Sequence, residues 1–188
     1  NTIRGYRYGQ VGSVLLDKDV DENARTFLVL RSLKLLQSRS AALSRAAPID
    51  LWPMVAGMLS VFAPSWQAPG VDAKKVAEHQ QRLKTALVRE LDGDVPVLAM
   101  EVIGSIGNRA SQLGTAVNQW GNRTALLAMG SPATALRGIA LGTGHPEGPP
   151  EDAAERLKWI VRNPEARDIA VFSVSEQYSD ARRRLTLG

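Results

Sequence analysis

The chain has 188 residues, 44% hydrophobic and 22% charged, ordinary proportions for a folded globular domain with one real core. It holds no cysteine, which excludes disulfides, thiolate metal sites and cysteine nucleophiles. Lys and Arg number 23 against 19 Asp and Glu, a formal charge of +4, and a nucleic-acid face would need that excess gathered in one patch.

The elements follow in chain order. Residues 2–16 read as two short strands. In "IRGYRYG", Ile3, Tyr6 and Tyr8 alternate with Arg4 and Arg7, and "VGSVLLD" follows with β-branched Val11 and Val14. Asp21 can cap a helix running from about 22 to 45. Its stretch "NARTFLVLRSLKLLQSR" is apolar nearly all round, yet Arg31, Ser32 and Lys34 interrupt it. Asp50 precedes a second apolar helix, "LWPMVAGMLSVF", with Pro53 in the first turn. Asp72 caps "AKKVAEHQQRLKTALVREL", whose Val76, Leu83, Leu87 and Leu91 keep the spacing of an amphipathic surface helix. Asp94 opens "VPVLAMEVIGSIG", and "NRASQLGTAVNQWGNRTALLAMG" is closed by Gly130. Ser131 and Pro132 are a cap and first helical position for "SPATALRGIAL". The loop "GTGHPEGPP" separates it from two last helices, with Asn163-Pro164 as another cap and a break expected near Ser173 to Ser175.

Chemistry is sparse. His79 sits among charges and reads as a solvated helix residue, while His145 lies in the Gly/Pro loop with no second base or ligand nearby in sequence. Asp92, Asp94 and Glu101 are the densest carboxylates, and Asp94 is explained as a cap. "GSIG" at 104–107 follows an apolar helical run rather than a strand, so it lacks the setting of a phosphate cradle. No nucleophile elbow is present. No stretch is long and apolar enough to span a bilayer, so no membrane insertion is expected.

A long helix with a polar pair at its middle, followed later by "NQWGNRTALLAMGSPATALRGIAL", resembles the layout of zincin-type zinc metallopeptidase domains. That family carries H-E-x-x-H on the first helix and a glutamate ligand in E-x-x-x-D-R on the later one, after an edge strand. The resemblance puts the first histidine at Arg31, the general base at Ser32 and the second histidine at Leu35. It puts the glutamate ligand at Asn118, with Asn122 and Arg123 completing the pattern. Histidines four apart share a helical face and can both reach a zinc ion. Here arginine supplies a fixed positive charge and leucine no ligand atom, so the resemblance implies a domain that has lost its metal and its hydrolysis. The runs "FLVLRSLKLL", "NRTALLAMGSPATALRGIAL" and "RDIAVFSVSEQYSDARRRL" are similar to degenerate peptidase-like domains at the C-terminal ends of large bacterial tetratricopeptide-repeat proteins.

The expected fold is therefore α+β and mostly helical: one or two N-terminal strands, then about seven to eight helices. Residues 1–188 are expected to form one domain, a fragment of a longer protein. Its parts are a β element at 2–16, a helical core at 22–141 and C-terminal helices at 150–187. The expected function is a non-catalytic, cytoplasmic scaffold domain that binds protein partners, with no cofactor. A partner would dock on the edge strand at Arg4, Tyr6, Arg7 and Tyr8, or in a groove bordered by Arg31, Asn118 and Arg123. The alternatives are a nucleic-acid-binding module using Arg4, Arg7 and the arginines at 182–184, and a cofactor-independent enzyme around His145.

Overall fold

The computed structural model describes residues 21–87 and 94–185. Their elements are α1 (Glu22–Gln37), α2 (Pro48–Phe62), α3 (Ala73–Ala86), α4 (Val95–Ile106), a 3-10 helix (Gly107–Gln112), α5 (Leu113–Met129), α6 (Pro132–Gly142), α7 (Ala153–Arg162), α8 (Pro164–Ser173) and α9 (Glu176–Arg184). The expected α+β class is corrected to all-helical, since no strand occurs among the described residues. From residue 21 onward apolar residues recur every three to four positions, and the turns deliver the chain into helix caps, so nothing favours an extended ladder. The segment 2–16, on which the expected strands rest, lies outside the described residues.

Local chemistry starts most of these helices. Asp21 Oδ1 accepts the amides of Asn23 and Ala24 at 2.8 and 3.1 Å. Asp72, Ser131, Asp152, Asn163 and Ser175 do the same for α3, α6, α7, α8 and α9. Asp50, by contrast, is not a cap. The second helix begins at Pro48, whose fixed φ suits a first helical position, so Pro53 falls inside the helix.

The first helix also ends earlier than expected, at Gln37 rather than 45. Arg39 adopts φ +54°, the Ser40 amide reaches the Leu35 carbonyl at 2.9 Å, and the Arg39 amide reaches Leu36 at 3.0 Å. This paired closure satisfies carbonyls that the helix would otherwise leave open. At the far end the expected break is present: α8 stops at Ser173 and α9 starts at Glu176.

By internal contacts the described residues divide into two compact units. One comes from the described residues up to Arg45 and from Thr115 onward, the other from those between Ala46 and Gly114. The first unit has a core in which Phe27 and Leu28 of α1 meet Leu126 of α5, Ile139 of α6 and Ile169 of α8. At Gly138 a Cβ would lie 2.3 Å from Phe27 Cδ1, so α6 approaches α1 as closely as only glycine permits. The second unit packs α2 against α3, α4 and the 3-10 helix around Val55, Leu59, Ala99 and Ala110. Trp52 and Trp66 meet there edge to face, 6.0 Å between ring centres.

Candidate functional site

Arg31 and Leu35 lie one turn apart on α1, and Asn118 and Asn122 lie one turn apart on α5. The structure brings these pairs together. Arg31 Nη2 donates to Asn118 Oδ1 at 3.0 Å. Gly121 lets the helices meet: a Cβ there would stand 3.3 Å from Arg31 Cγ and 3.4 Å from Leu35 Cδ2. Leu35 is fully buried and supplies no polar atom. Ser32 is half-buried and, one residue on from Arg31, projects in a different direction from the helix axis.

A residue with no assigned role in the sequence reading completes the cluster. Glu165 Oε2 lies 3.4 Å from Arg31 Nη2 and accepts the Asn122 amide at 3.0 Å. The Arg31 and Glu165 side chains are only 16% and 13% exposed, and Asn122 is fully buried. A cation and an anion taken this far out of water hold together only when paired and hydrogen-bonded. Glu165 is also in the first turn of α8, where negative charge is favoured by the helix dipole. Asn122 Oδ1 is buried without a hydrogen-bond partner among the described residues.

Arg123 points to a second pair. Its Nε and Nη2 bind the two carboxylate oxygens of Asp168 at 2.9 and 2.5 Å, and its guanidinium lies over Phe172, 4.8 Å from the ring centre. The double hydrogen bond to Asp168 raises the Arg123 pKa above its usual value, against the opposing effect of burial. Glu165 and Asp168 are three residues apart on α8, and each answers one of the adjacent α5 residues Asn122 and Arg123. The signal in the sequence is the three-residue spacing of the two acids in "NPEARD", which puts both on one side of α8.

The residues do not fit a zinc ion. Arg31 offers a guanidinium, Leu35 a hydrocarbon, and the Asn118 oxygen is already an acceptor for Arg31. Among the described residues no group of three or more His, Cys, Asp or Glu is placed to hold a metal.

The other candidates are dispersed. Arg4, Tyr6, Arg7 and Tyr8 lie outside the described residues. Arg182 Nη1 donates to the Leu127 carbonyl at 3.0 Å, at the end of α5, and Arg183 pairs with Asp180 at 2.6 Å. His79 is half-buried, and its Cβ would stand 2.6 Å from a Cβ at Gly57, so it marks the close approach of α3 to α2. His145 is exposed in its loop, with Nδ1 3.5 Å from Glu147 Oε1. Beside that loop is a cavity of about 430 Å³ lined in part by Asp21, Leu136, Arg137, Glu147 and Arg156. Its Asp21 and Arg137 are paired at 2.9 Å, and Arg156 Nε donates to the Pro150 carbonyl at 2.8 Å. None of the Arg31 cluster lines it.

No family model, curated protein or solved structure matches this chain. Among the described residues no helix is long and apolar enough to cross a membrane.

Proposed function

We propose that this chain is a non-catalytic, peptidase-like domain that serves as a cytoplasmic interaction or scaffold module of a larger bacterial protein. The observation that carries the reading is the Arg31–Asn118 hydrogen bond at 3.0 Å, with Leu35 buried beside it. The resemblance puts zinc ligands at those three positions, and this reading is supported by the hydrogen bond between Arg31 and Asn118. The three residues meet as a guanidinium, an amide and a hydrocarbon, with Glu165 as counter-ion to the guanidinium. A fixed cation in that place opposes a metal ion, and a cluster of paired groups opposes a substrate. Partner binding is the role left to such a fold once its chemistry is gone.

The nucleic-acid alternative has weaker support. Two of the three arginines at 182–184 are engaged within the chain, Arg182 on a helix end and Arg183 on Asp180. The test of the proposal is a peptidase assay on the purified chain with zinc supplied. Absence of cleavage is expected, and hydrolysis that disappears in Asn118→Ala or Ser32→Ala would overturn the reading.

A further inference from the structure

We draw no further inference here: the strongest candidate, the exposed apolar stripe of Val29, Leu33 and Leu36 on the side of α1 opposite its core-packed Phe27 and Leu28, is an unpartnered helix face, and nothing in the structure shows what covers it.

Discussion

Arg31 and Asn118, 87 residues apart in the chain, share a hydrogen bond of 3.0 Å in the interior of the first unit. The bond ties α1 to α5, and Glu165 adds α8 to the same knot through Arg31 and Asn122. Three elements distant in sequence are thus registered against one another by polar contacts set within an apolar core.

Breaking one side of this knot leaves a buried charge without its counter-ion. Arg31→Ala is expected to destabilise the chain by about 2–4 kcal/mol, near the range for removing one partner of a buried pair. Glu165→Gln keeps a hydrogen-bonding oxygen and costs less. Urea denaturation of both single variants and the double variant measures the coupling between the two residues. A coupling above about 0.5 kcal/mol is expected for contacting groups, and additivity would show that the two side chains do not interact.

Glycines separate by what surrounds them. Gly138→Ala forces a methyl group to 2.3 Å from the buried Phe27 ring, and overpacking of this kind costs about 1–3 kcal/mol or more. Gly104→Ala meets no atom within 4 Å and gains up to about 1 kcal/mol of helix propensity. Thermal denaturation of the two variants is expected to move in opposite directions.

Asp21 links the first helix to pH. Its carboxylate is held below the usual range, first by the Ala24 amide and then by Arg137, with partial burial opposing. A carboxylate whose folded pKa is depressed stabilises the fold above its unfolded pKa and loses that contribution as pH falls through the folded value. Stability is therefore expected to decline below about pH 4, the ordinary aspartate range. Asp21→Ala flattens that part of the profile and lowers stability at neutral pH by about 1 kcal/mol through the lost cap. Denaturant midpoints between pH 2 and 7 check both.

Arg182 and Arg184 are expected to differ although only one residue lies between them. Arg182 holds the Leu127 carbonyl beside Gly130, which has φ +70°, whereas Arg184 is exposed. Arg182→Ala frees a helix-end carbonyl and costs about 1 kcal/mol, and Arg184→Ala is close to neutral. Equal effects on the melting temperature would contradict this assignment.

The caps were legible because they are local: Asp21, Asp72, Ser131 and Asn163 each bond an amide two or three residues on. The end of α1 was not, because it depends on Arg39 entering the left-handed region, a conformation more common for glycine. The start of α2 was misplaced because Asp50 has the right residue type for a cap, while Pro48 at the first position decides. The meeting of Arg31 with Asn118 is contained in no local pattern, since the two residues are 87 apart in the chain. Glu165 escaped notice because an acid in a first helical turn already has a local explanation, and its partners Asn122 and Arg31 come from remote parts of the chain. The α+β expectation rested on residues 2–16, and the described residues that follow are helical throughout their regular structure.

The central claim is that the aligned ligand positions bind no metal and that the domain has no hydrolytic chemistry of that kind. Calorimetric titration of the purified chain with zinc tests it most directly. The account predicts no saturable binding, with Asn118→Ala behaving as the unaltered protein does. Binding of one zinc per chain that Asn118→Ala abolishes would contradict it.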